Sequence, residues 1–148
     1  MEQNAEKLRE LLSEKRDILC KIWESTQGQA ALLQLQDAEE LLKSIEQRQV
    51  LIDEIDDIDT KTKNLVPTGE TENEKMGAVH RMFPNIWDEI MTLLKSITEQ
   101  DAQNNEVAAA ILKEYKARIR EVGQTRETVG NYIASQDFGE GIYFDSKK

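Results

Sequence analysis

From Leu8 to Leu33 the residues Leu8, Leu12, Lys15, Leu19, Ile22, Thr26, Gln29 and Leu33 follow one another at steps that alternate four and three. That alternation is the seam of a coiled helix, and it excludes a strand, whose period is two. Leu11, Ile18 and Leu32 flank the seam and widen the apolar stripe, as a helix facing two neighbours requires. Gly28 lies inside the pattern and costs up to about 1 kcal/mol relative to Ala, so the helix is expected to weaken or bend there. The whole chain of 148 residues holds only 2 Pro and 7 Gly, so breakers are too scarce for many short elements.

Asp37 followed by Glu40 reads as a capping box. The Asp37 carboxylate accepts from free backbone N–H groups and Glu40 reaches back to the cap. A second helix therefore starts near Ala38, with a seam of Ala38, Leu41, Ile45, Arg48, Ile52, Ile55, Asp59 and Thr62. Leu42, Leu51, Ile58 and Leu65 lie beside this seam, and the helix ends before Pro67. Its length is about 42 Å at about 1.5 Å per residue. The polar stretch PTGETENEK at 67–75 is the clearest connection. Thr71 and Glu74 again fit a capping box, which opens a short helix to about Phe83, and Pro84 kinks or restarts the chain.

Ile86, Ile90, Leu94 and Ile97 begin a further helical stripe. It crosses the polar patch EQDAQNN at 99–105 and resumes as Ala108, Leu112, Tyr115, Ile119, Val122, Arg126, Val129 and Ile133. The phase slips by about one residue in the patch, as a stutter would produce. One long helix and a break near Asn104 are both compatible with this pattern. The ending SQDFGEGIYFDSKK has no helical period and reads as an irregular tail.

The expected fold is all-α: an elongated antiparallel bundle of three long helices, with a short extra helix before the third. The helices span about 4–35, 38–65, 72–83 and 85–134 of a single domain, with a tail at 135–148.

Composition narrows the function. With 19 Lys+Arg against 29 Asp+Glu the net charge is -10, which repels phosphate backbones and argues against nucleic-acid binding. No apolar run approaches the roughly 18 residues of a membrane helix. The opening MEQNAEKLRELL is charged and lacks a signal-peptide core, so export by that route is not expected. Cys20 is the single cysteine, in keeping with a reducing compartment such as the cytoplasm.

Catalytic and metal chemistry find little support, so neither an enzyme nor a cofactor is expected. His80 is the single histidine, so neither the paired Glu-x-x-His ligands of di-metal bundles nor a structural zinc set can be assembled. No serine sits in a nucleophile-elbow setting beside it. Asp53, Asp56 and Asp57 share a helix face and would hold a hard cation weakly, but a calcium loop needs a Gly-bearing turn. A solvated or partner-facing acidic face is the simpler reading. Asp137-Phe138-Gly139 matches a kinase motif without any of its companions. Arg48 interrupts an apolar seam, so its stem packs while its head reaches water or an acid, and Asp59 and Asp101 mark register in the same way.

Charge is unevenly distributed. Residues 37–59 hold two basic against nine acidic side chains, a local net of -7. Residues 113–126 hold five basic against two acidic, a local net of +3. Either the two stretches lie side by side in the bundle, or the basic stretch and its apolar seam are offered to another protein. Four of the eight aromatics (Tyr132, Phe138, Tyr143 and Phe144) fall in the last seventeen residues, where they serve as interface anchors or cap the bundle end.

The order Thr26, Gln29, Leu32, Asp37, Glu40, Leu41, Arg48, Gln49, Leu51, Ile52, together with Tyr132 and the ending GIYFDSKK, resembles the FlgN-type flagellar export chaperones. The FliT-type chaperones are a more distant resemblance. The likeness runs over about the whole chain. It implies a cytoplasmic chaperone of flagellar type III export that binds hook–filament junction proteins (FlgK and FlgL) through a C-terminal amphipathic helix. It also implies that such cargo is kept unassembled and brought to the export gate, with Tyr115 or Tyr132 matching a family tyrosine that contacts the gate. The partner-binding residues implied are Leu112, Tyr115, Ile119, Val122, Val129, Tyr132 and Ile133. Two other readings compete: a self-associating coiled-coil scaffold or adaptor without cargo, such as a homodimer, and an enzyme using the Asp53–Asp59 acids with a divalent ion.

Overall fold

The computed structural model describes residues 2–66 and 71–133, with the side chains of 3–66, 71 and 73–127. Every regular element among the described residues is a helix: α1 (Glu2–Leu35), α2 (Ala38–Leu65), α3 (Glu72–Met82) and α4 (Pro84–Ile133). The tail expected at 135–148 lies outside the described residues. The chain divides into two compact units, residues 1–105 and 106–148.

In the first unit the α1 seam is buried along its length. Leu8, Leu12, Leu19, Ile22, Thr26, Gln29 and Leu33 are all buried. Lys15, the one charged seam position, is half-buried, and its Nζ lies 2.6 Å from Asp59 Oδ1 on α2. Gly28 leaves α1 a continuous helix, and a Cβ there would meet nothing within 4 Å.

A two-residue link turns α1 into α2. Gln36 takes φ 53°, and its N–H and that of Asp37 donate to the carbonyls of Leu33 and Leu32, both at 3.1 Å. This is a Schellman closure with glutamine where glycine is usual. Asp37 then caps α2 by accepting from the Glu40 N–H at 3.2 Å. The expected reciprocal half of that box is absent. The Asp37 N–H is already committed to α1, and the Glu40 carboxylate sits instead 3.3 Å from Lys43 Nζ.

The buried stripe of α2 differs from the expected seam. Ala38 and Ile45 are exposed, whereas Ile58, Thr62 and Val66 are buried, with Leu51, Ile52 and Ile55 half-buried. Burial concentrates at the C-terminal end of α2, because Ile58 and Val66 join Val79 of α3, Ile90 of α4 and Leu8 and Leu12 of α1 in one core. Each fully buried Leu or Ile contributes roughly 1.5–3 kcal/mol before ordering costs.

Thr71 caps α3 through the Glu74 N–H at 3.2 Å. The Phe83 N–H closes α3 on the Val79 carbonyl, and the Phe83 carbonyl accepts from the Trp87 N–H to open α4, both at 3.0 Å. Pro84 thus restarts the chain at the first helical position, where its missing N–H leaves no donor unpaired. Through the polar patch α4 is one unbroken helix.

Contacts between the helices set their levels. Lys15 meets Asp59 while Ser25 meets Ser44 at 3.1 Å, so residue numbers fall on α2 as they rise on α1. Arg16 meets Glu89 at 3.0 Å while the Thr26 carbonyl meets Asn104 at 3.0 Å, so numbers rise together on α1 and α4.

Candidate functional site

Two features stand apart from ordinary core packing: a polar layer inside the first unit, and the apolar stripe of α4 in the second.

The layer is built by the three long helices at one level. Thr26 is fully buried and its hydroxyl donates to the Ile22 carbonyl at 2.7 Å, leaving its own carbonyl to accept from Asn104 Nδ2. Asn104 Oδ1 accepts from Gln100 at 3.0 Å, and Gln29 Nε2 donates to Ser44 at 3.3 Å. Arg48 reaches from α2 to Asp101 on α4 in a two-pronged pair, with both Nη atoms 2.5 Å from the carboxylate oxygens. Their side chains are 17% and 32% exposed, so this pair is shielded more than a surface bridge. Arg48 Nε is buried and, among the described residues, has no hydrogen-bond partner.

Asn104 was not legible as a core residue from its neighbours, since the patch looks polar throughout. The signal was the step count. Ile90, Leu94, Ile97, Asp101, Asn104 and Ala108 continue the four-three alternation straight through it. The slip expected inside the patch falls after it, where the step from Ala108 to Leu112 repeats the four. The polar patch therefore carries the seam in polar residues rather than interrupting it.

In the second unit the stripe on α4 is open. Leu112, Tyr115 and Val122 are 50%, 53% and 46% exposed, and Ile119 is half-buried. On one helical face these residues fall in line with Ala108 and Arg126. Val129, Tyr132 and Ile133 belong to the same helix, but their side chains lie outside the described residues. Lys113, Lys116 and Arg120 are exposed and, among the described residues, form no ion pair. Arg118 pairs along the helix with Glu114 at 2.8 Å.

The remaining sequence candidates are dispersed. Asp53, Asp56 and Asp57 are exposed on α2, where Asp57 meets Lys61 at 3.2 Å and Asp53 accepts from Gln49 at 3.0 Å. Among the described residues no group of three or more His, Cys, Asp or Glu is placed to hold a metal ion. His80 stacks on Trp87 at 5.8 Å between ring centroids, with Nε2 3.5 Å from Asp88. Glu89 accepts a hydrogen bond from Arg16 and so pushes the pKa of that guanidinium up. Cys20 is exposed. Asp137-Phe138-Gly139 lies outside the described residues. No helix among the described residues is long and apolar enough to cross a membrane. Compared with family models, with characterised proteins and with solved structures, the chain matches none.

Proposed function

We propose that this chain is a cytoplasmic chaperone of flagellar type III export, of the FlgN-like kind, whose cargo is the hook–filament junction proteins. In this reading α1, α2 and the first part of α4 form an antiparallel three-helix bundle that serves as the rigid body. The stripe of Leu112, Tyr115, Ile119 and Val122, continued by Val129, Tyr132 and Ile133, receives the cargo. The same surface, through Tyr115 or Tyr132, then meets the export gate.

The single observation that carries the reading is a contrast between two seams of the same period. The α1 seam is buried, whereas Leu112, Tyr115 and Val122 on α4 stay about half exposed. Large apolar side chains left open at coiled-coil spacing are what an amphipathic helix from another polypeptide needs for a groove. A junction protein that polymerises through coiled helices has a matching edge. Seating it on the stripe buries both edges and blocks premature assembly. Each Leu or Ile so covered contributes roughly 1.5–3 kcal/mol, less the cost of ordering the cargo segment.

The test is co-expression with FlgK-like and FlgL-like proteins. Ile119→Asp combined with Val122→Asp abolishes co-purification while the circular dichroism stays helical, because neither residue is in the buried core. Unchanged co-purification removes the stripe from the interface. In the free protein, amides of 108–133 exchange faster than those of α1, and equally strong protection in both contradicts an open stripe.

A further inference from the structure

The charges beside the α4 stripe select the kind of helix it can receive. Counted by heptads, the seam Leu112, Tyr115, Ile119, Val122 and Arg126 has Lys116 on one flank and Arg118 on the other. Both flanking side chains are exposed. Farther round the helix, Arg120 and Lys113 continue the basic flank behind Lys116. Glu114 and Glu121 lie behind Arg118, and Glu114 pairs with it at 2.8 Å. No acid of residues 112–126 stands at a position next to the seam, in a chain whose net charge is -10. A second copy laid on this seam would bring no acid to either flank, so the stripe disfavours its own like.

We infer that the occupant of the stripe is a helix of another protein that carries its own apolar seam and acidic side chains along both edges. Its seam packs on Leu112, Tyr115, Ile119 and Val122, and its carboxylates meet Lys116 and Arg118. The apolar contact supplies most of the affinity, while the charges set register and reject basic helices. This rests on the reading of the stripe as a docking surface and names the chemistry its occupant must carry. The rest of the chain works against such a partner, because a net charge of -10 repels an acidic peptide and attracts a basic one. A preference for the acidic helix therefore comes from the local basic flanks and not from the overall charge.

The experiment compares a pair of synthetic peptides of about three heptads with the same Leu and Ile seam, one carrying Glu and the other Lys at every flanking position. Like charges on both edges keep either peptide from pairing with itself. Fluorescence anisotropy with the full chain at low salt gives the Glu-flanked peptide a dissociation constant about tenfold or more below that of its Lys-flanked twin. The gap closes in about 1 M salt, where the Debye length is about 3 Å. K116E/R118E inverts the preference, and circular dichroism is unchanged because both positions are exposed. Equal affinity for the peptides, tighter binding of the Lys-flanked one, or a variant that keeps the preference overturns the inference. Co-purification of FlgK-like or FlgL-like proteins that still depends on Ile119 and Val122 then leaves the docking surface standing without its charge selection. Binding of neither peptide overturns the inference as well, and a tight dimer of the intact chain that excludes both gives the stripe to a second copy.

Discussion

Asp101→Ala is the sharpest test of how the three long helices are held together. It removes both acceptors of the Arg48 guanidinium, each 2.5 Å from its donor, and leaves a side chain that is 17% exposed and whose Nε already lacks a partner among the described residues. Charge-assisted hydrogen bonds are worth about 1.5–3 kcal/mol each, and stranding a fully buried partner costs about 3–5 kcal/mol. Asp101 is 32% exposed, so water recovers part of that loss. The expected cost is therefore about 2 kcal/mol, or roughly 6 °C in Tm. The opposite deletion, Arg48→Met, is milder at about 1 kcal/mol, because the Asp101 carboxylate left behind is the wetter group and the orphaned Nε goes with the arginine. The double variant Arg48→Met, Asp101→Leu replaces the pair by apolar groups of similar size and lies within about 1 kcal/mol of the parent. Urea unfolding followed at 222 nm measures all three from the midpoint and slope. Single variants costing the same as each other, or a double variant as poor as their sum, would refute the idea that the pair is shielded and mutually dependent.

Three further outcomes follow from the helix geometry. Gln36→Gly raises stability by about 0.5–1 kcal/mol, since Gln36 holds φ 53° where glycine has no steric penalty; an unchanged or lowered urea midpoint contradicts the Schellman closure. Gly28→Ala adds about 0.8–1 kcal/mol, because a Cβ at that position meets nothing within 4 Å, and a loss would mean that the glycine has a packing role. Leu19→Ala costs about 3 kcal/mol while Leu112→Ala costs under about 0.5 kcal/mol in thermal unfolding, as their exposures of 2% and 50% require.

The helical class was legible because period, caps and breakers agreed. The four-three steps from Leu8 to Leu33 became the buried face of α1, and Asp37 and Thr71 cap α2 and α3 through the predicted amides. Arg48 in the α2 seam was expected to reach water or an acid, and that acid is Asp101; the pairing of Lys15 with Asp59 was not foreseen. What the sequence concealed was rotation and competition. Ile58 is buried in one core with Val79 of α3 while Ile45 is exposed, a difference no local pattern records. The Glu40 half of the capping box failed because α1 had already claimed the Asp37 N–H, a conflict between two helices sharing one residue. Of the candidate site, the spacing of Leu112, Tyr115 and Val122 was readable, but their exposure was not, since an identical period in α1 is buried. Asn104 was missed because a polar residue at a seam position looks like an interruption until its partner is known, and Ser44 because it lies outside the expected seam of α2.

The polar contacts at the levels of Arg16–Glu89, Arg48–Asp101 and Thr26–Asn104 are spaced along one helix and anchored on two others. Sliding α4 by one turn, about 5.4 Å, would part all three together and set Ile97 or Asn105 opposite Arg48 in place of the Asp101 carboxylate. The alignment of the three long helices in the first unit is therefore recorded in polar contacts as well as in apolar packing.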